Sequence, residues 1–258
     1  MTAALHAEWT KLRTLTATVW LLVGAAALTV GVSVAVALAT HQSPGSGGGQ
    51  DPTKLALTGV DLGQAVIAVL AVLTISEEYG TGMIRTTLTA MPRRVVLLEA
   101  KALNVASLTL IAGVLGVAGC LLAGRLLLPA AGFDPAHGYA LVSIGHGPTL
   151  RAAAGSTLYF VLIAVVALAV ATIIRDTAVS IGAVLVLLYL PPLLAQVVSG
   201  PLRRHIDQIA PMTAGLAIQA TTHLRDLPIA PWAGLGVLAA WATASLLVAG
   251  ALLGSRDA

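Results

Sequence analysis

The stretch Ser76-Glu77-Glu78-Tyr79-Gly80-Thr81-Gly82-Met83-Ile84-Arg85-Thr86-Thr87-Leu88-Thr89-Ala90-Met91-Pro92-Arg93-Arg94 is polar, and on both sides of it lie apolar runs long enough to cross a bilayer. It carries the charges of Glu77, Glu78, Arg85, Arg93 and Arg94 in a chain that has few charges elsewhere. A chain of this kind keeps one organised polar loop on one side of a membrane, placed to be read by something in water. Gly80 and Gly82 permit a sharp turn out of the membrane. Residues 86–91 are predicted as a short helix closed by Pro92. Glu78, Arg85, Arg93 and Arg94 supply charges for seating on a partner surface.

The 258 residues are 57% hydrophobic and 10% charged, whereas soluble domains carry about 25% charge. That excludes an ordinary soluble globule. The net charge of +3 comes from scattered basic residues rather than a nucleic-acid footprint. The one cysteine, Cys120, sits in an apolar run and reads as a small packing residue.

Six windows are long and apolar enough to span, at about 18–39, 57–75, 103–126, 153–174, 177–198 and 232–253. Backbone groups in lipid must be satisfied internally, so these are helices or a closed barrel. Their apolarity is continuous, with no period of two, which excludes the barrel. Gly113, Gly116 and Gly119, and Ala164, Ala167 and Ala171, recur at near-helical spacing and suit close helix packing. Ala37-Leu38-Ala39 resembles a signal-peptidase site. The apolar run before it exceeds the roughly 7–15 residues of a signal sequence, so a retained first span is expected.

Lys11 and Arg13 precede the first span, and no basic residue follows it until Lys54. That asymmetry places both termini in the cytoplasm. The loop over 76–101 then lies inside, and residues 199–230 lie outside. That outer segment is too interrupted to span, and reads either as short helices dipping into the outer leaflet or as a surface loop. Before the first span, Leu5, Trp9 and Leu12 form one apolar stripe, with Glu8, Lys11 and Arg13 on other faces. Residues 1–16 are therefore expected as an interfacial helix, with Trp9 at headgroup level.

Several chemistries are missing. The lysines are Lys11, Lys54 and Lys101, and none follows a glycine, so no Gly-Lys-Ser/Thr phosphate cradle is present. No nucleophile elbow or paired-histidine zinc motif appears. No catalytic or metal-binding residues are assigned, and no cofactor is expected. No span has an ionisable group near the middle of its window, which argues against a carrier driven by an ion gradient. Asp61 and Gln64 share one helix face at the outer end of the second window. They read either as the lining of an outer vestibule that touches substrate or as an ordinary polar helix end.

The order of motifs resembles that of ABC-2 type transporter permeases, particularly actinobacterial ones. The resemblance rests on Glu8 to Thr14, on Glu78-Tyr79-x-x-Gly82-x-x-Arg85-x-x-Leu88 followed by Pro92-Arg93-Arg94 and Lys101, on Ile173 to Ala178, and on the closing Arg256-Asp257-Ala258. It implies a single permease domain over 1–258, an all-α six-span bundle of the type V exporter kind, in a bacterial plasma membrane. It further implies a coupling loop through which Glu78, Gly82, Arg85, Pro92, Arg93, Arg94 and Lys101 contact a separate ATPase. That ATPase, in two copies, would bind ATP and magnesium, and the permease would pair with itself or a sister chain. The N-terminal helix with Glu8, Trp9, Lys11 and Arg13 would help to seat the ATPase, or serve only as an anchor. The cargo implied is amphipathic or hydrophobic: a drug, a peptide antibiotic or a lipid. An integral membrane lipid-modifying enzyme and a non-transporting anchor or sensor subunit are the alternatives.

The topology predicts opposite behaviour for two introduced cysteines. Ser46→Cys is expected to label with an impermeant thiol reagent on intact cells, and Ser255→Cys is not. Labelling of position 255 from outside would reverse the assignment of the termini.

Overall fold

The computed structural model describes residues 16–40, 49–80 and 94–255. Its helices are α1 (Thr16–Ala39), α2 (Pro52–Ala56), α3 (Val60–Gly80), α4 (Arg94–Leu127), α5 (Gly147–Ile174), α6 (Thr177–Val197), α7 (Pro201–Ile209), α8 (Pro211–Leu216) and α9 (Pro231–Ser255). Short 3₁₀ turns occupy Pro129–Ala131, Pro135–His137 and Ala217–Gln219, and no strand occurs among the described residues. Helices α1, α4, α5, α6 and α9 are long and apolar enough to cross a membrane, and α3 adds a shorter apolar segment over Val60–Ser76. The protein is an all-α membrane bundle.

Helix α5 is the centre of that bundle and packs on α3, α4, α6 and α9. Ala164, Ala167 and Ala171 are fully buried on it. In lipid, neighbouring helices gain nothing from hiding apolar surface from water, so close backbone approach has to supply the packing energy. The glycines of α4 do the same work. A Cβ on Gly119 would lie 2.5 Å from a Val30 methyl of α1, and one on Gly113 would press on Phe160 of α5. This small-residue seam packs the chain against itself.

A two-residue turn joins α5 to α6. Arg175 closes α5 in the left-handed region at φ 63°. Asp176 then caps α6, its carboxylate accepting from the Val179 N–H at 2.8 Å. Pro191 and Pro192 lie inside α6 and deprive the carbonyls of Leu187 and Leu188 of their helical donors.

The second span differs from the uninterrupted window read in the sequence. It begins earlier, at Pro52, and is broken by a tight turn at 57–59 before continuing as α3. The Gly59 N–H leaves the helical ladder and donates to Ser33 Oγ of α1 at 3.0 Å. Ser33 Oγ donates to Cys120 Sγ at 3.2 Å, and Cys120 Sγ donates to the Thr29 carbonyl at 3.5 Å. Cys120 is thus part of a polar thread through α1, α3 and α4 as well as a packing residue. The turn needs glycine: a Cβ on Gly59 would lie 1.8 Å from the Thr29 carbonyl oxygen.

The segment between α6 and α9 folds into a V. Helix α7 descends until the Ile209 carbonyl accepts from Trp241 Nε1 at 3.0 Å. Trp241 lies ten residues, or about 15 Å, along α9 from Pro231. Helix α8 packs Gly215 on the Tyr159 ring, and the chain then rises to Ala220, whose carbonyl accepts from Arg151 Nη2. Residues 199–230 contain the short helices α7 and α8 and the turn at Ala217–Gln219.

Asp176→Ala removes the cap of α6 and is expected to cost about 1 kcal/mol. Thermal unfolding of the purified chain in detergent measures it, and an unchanged midpoint would mean that packing alone sets the start of α6.

Candidate functional site

The break in the second span sets Asp61 well inside the bundle. Ten residues separate it from Asp51 at the top of α2, about 15 Å of helix. Two cross-helix bonds give the same depth. Tyr189 of α6 donates to the Asp61 carbonyl at 2.6 Å, and Tyr189 lies eight residues, about 12 Å, from the end of α6 at Val197. Tyr159 of α5 donates to Gln64 Oε1, and Tyr159 lies the same eight residues along α5 from Arg151. The sequence placed Asp61 at the outer end of its span. Residues 52–58 instead stack a further two turns above it, so an ionisable group does lie deep in the bundle.

Gln64 and Tyr159 are fully buried. Gln64 Nε2 also donates to the Asp61 carbonyl, at 2.9 Å. That carbonyl therefore gathers two donors, while the carboxylate below the break does not: Asp61 Oδ1 is buried and has no hydrogen-bond partner. Asp61 as a residue is partly exposed. A buried carboxylate oxygen left unpaired is costly unless a proton or a cation compensates it. Among the described residues, α1 and α6 carry no charged side chain, and α5 carries only Arg151, about 12 Å above. Lys54, seven residues before Asp61 and across the turn at 57–59, is exposed on the cleft wall.

Above this cluster the connections at that end of the bundle are bolted together by Asp51. Its carboxylate caps α2 through the Thr53 and Lys54 N–H groups at 3.1 and 3.2 Å. It also accepts from the Thr221 and Thr222 N–H groups and from Thr221 Oγ1 at 2.7 Å. Thr53 and Thr149 share a hydrogen bond at 3.3 Å. These bonds, with Arg151 on Ala220, tie together the starts of α2 and α5 and the strap before α9. Nearby, Asp134 accepts from the His137 ring at 2.6 Å and from its N–H. The His137 bond holds the exposed Asp134 carboxyl below its usual range. A cleft of about 510 Å³ opens beside this layer, lined by Asp51, Lys54, Thr58, His223 and Asp226 among others.

Of the residues expected to meet a partner, Glu8, Trp9, Lys11, Arg13, Gly82, Arg85, Pro92 and Arg93 lie outside the described residues, and Glu78 and Arg94 are described by backbone only, at helix ends. Lys101 is described and departs from its expected role as a surface contact. It is 2% exposed, two turns into α4, and already has an interaction partner. Helix α4 extends past the window read from hydropathy, so Lys101 falls among its packed turns. Sequence reading missed Asp51, Ser33, Tyr159 and Tyr189 as site residues. The legible signal was Gly59-x-x-x-Gly63, which marks a backbone pressed closely against another.

Replacing Asp51 strips five donors of their acceptor. Asp51→Ala is expected to cost about 2 kcal/mol, with Asp51→Asn falling between it and the wild type. Unfolding in detergent reads this out, and a midpoint unchanged in both variants would show that the carboxylate does not hold the outer layer.

The chain matches the profile of the family described as "ABC-2 family transporter protein" over residues 4–191. That match takes in α1 to α5 and most of α6, and hence both the deep cluster and the outer cap of α2. No curated protein matches the chain.

Proposed function

The chain belongs to the ABC-2 family of transporter proteins, and from that premise we propose that it is the permease subunit of an ATP-binding cassette exporter. It moves an amphipathic or hydrophobic cargo (a drug, a peptide antibiotic or a lipid) on energy supplied by a separate ATPase. The observation that carries this reading is the family match over 4–191 on a chain with no Gly-Lys-Ser/Thr sequence to hold phosphates. The membrane component of such a transporter is normally not catalytic. Magnesium and ATP belong to the partner subunits, two of which serve a pair of permeases, either two copies of this chain or this chain with a sister. The site is the plasma membrane of a bacterium, with both termini in the cytoplasm.

The polar loop from Glu78 to Arg94 is the mechanical link. Its charges seat in a groove of the ATPase, and closure of two ATPase subunits on ATP moves both loops. The helix at residues 1–16 supports that seat. At the other end, the α7–α8 V dips into the outer leaflet, and Asp61 and Gln64 line the vestibule that cargo reaches.

Reversing charge in the loop tests the reading. The Arg85→Glu, Arg93→Glu, Arg94→Glu variant is expected to insert at normal levels, lose co-purification of the ATPase subunit and lose cargo-dependent ATP turnover. Losing a buried charge partner costs about 2–5 kcal/mol, against under about 1 kcal/mol for a rim contact. Normal assembly and turnover in this variant would leave the loop as a topology signal.

A further inference from the structure

We propose that Asp61 is the recognition point for a positively charged group on the cargo, and that Lys54 is its built-in competitor. This rests on the permease reading above and narrows it from any amphipathic cargo to cationic amphiphiles.

The argument begins with what surrounds the carboxylate. Oδ1 is buried without a partner, while the residue keeps part of its surface open. Both neighbouring tyrosines spend their hydroxyls elsewhere, Tyr189 on the Asp61 carbonyl and Tyr159 on Gln64. Neither bond satisfies the carboxylate, yet together they fix the backbone beneath it. A buried carboxylate oxygen without a partner is chemistry that selects cations by charge. A neutral or anionic cargo group would leave the buried oxygen unpaired, so the site also selects against those.

The cation that can reach it from within the chain is Lys54. Its ammonium stands on a flexible stem at the cleft wall, two turns above, and the residue is exposed. Lys54 lies seven residues before Asp61, on the other side of the turn at 57–59. A cargo cation that enters displaces this weaker neighbour. The returning Lys54 field then favours release towards the 510 Å³ cleft. The remainder of the cargo finds no further charge at that level: α6 contributes Leu190 and Leu193, both exposed and apolar.

The test measures binding of tetraphenylphosphonium, whose charge does not depend on pH, to the full-length chain in lipid nanodiscs without any ATPase. Triphenylphosphine oxide is the neutral probe of similar bulk. Saturable binding of the cation is expected, weakened about 10- to 100-fold in Asp61→Asn and retained in Asp61→Glu. Lys54→Gln is expected to bind the cation about 3- to 10-fold more tightly, a gain that a misfolded variant cannot give. Binding of the neutral probe is expected to be weak and equal in all four proteins. Equal cation affinity in wild type and Asp61→Asn, equal loss of both probes, or no saturable cation binding would each overturn the proposal. Because no ATPase is present, these outcomes are independent of whether the loop couples to one: cation binding without ATP-dependent transport would fail the permease reading and spare this one.

Discussion

The hydrogen bond from the Gly59 N–H to Ser33 Oγ is the contact on which the site depends. A backbone donor freed inside a bilayer has no water to turn to and must find a partner in the protein. Ser33 supplies it, and is itself held by Cys120 on α4. With that donor satisfied, the second span can stop, turn within three residues and start again without an orphaned amide. Below the turn, α3 begins with the Asp61 carbonyl bonded to Tyr189 of α6 and the Gln64 side chain bonded to Tyr159 of α5. An unbroken helix would carry the same residues at other heights and angles, and neither tyrosine bond would form.

The same constraint shapes the packing around the break. Gly59 and Gly63 both press on Thr29, whose own hydroxyl bonds back to the Ala25 carbonyl at 2.6 Å. The hydroxyl is thereby occupied within α1 and presents a compact surface to the glycines. Small residues and self-satisfied hydroxyls recur along the interior: Thr157 on the Ala153 carbonyl, Thr172 on that of Leu168. Each lets a polar side chain sit in the bundle without demanding a partner from the next helix. The unpartnered buried oxygens of Asp61, Ser76, Thr109 and Ser156 depart from this pattern, and of these Asp61 carries the carboxylate.

The spanning helices were legible because twenty apolar residues in a row admit few alternatives in a bilayer. Their ends were less so. Hydropathy stops counting where charge begins, yet α4 runs on through Glu99 and Lys101, and α5 starts at Gly147, before Arg151. The break was hidden for a related reason. Residues 57–59 fall inside the apolar window without announcing a turn, residues 52–56 lie before it, and the donor's partner, Ser33, is remote in sequence. Gln64 was found as a neighbour of Asp61 by helical spacing, but Tyr159 and Tyr189 come from helices that no local pattern links to it. The family resemblance and the family match agree over α1 to α5 and most of α6. They speak to the coupling loop only as a family feature, since residues 81–93 lie outside the described structure.

One helix joins the two places where function is proposed. Helix α3 runs from Val60 to Gly80, about 31 Å at 1.5 Å per residue. Its first turn carries Asp61 directly below the break, and its other end leads into the polar loop. Between them, Ile67, Ala68, Leu70, Ala71, Val72 and Ile75 are all at most 2% exposed, and no glycine or proline interrupts residues 64–79. A segment so built moves as a rod rather than bending. Force applied at its inner end would then arrive at the outer end as displacement, and the tight turn at 57–59 is where the chain can yield. The outer layer bolted by Asp51 would hold residues above the turn while Asp61 below it shifts. A shift of that kind alters the distance between Asp61 and Lys54, which lie on opposite sides of the turn. The interaction between them falls with distance, so a motion of that kind would also change how strongly a cation at Asp61 is held.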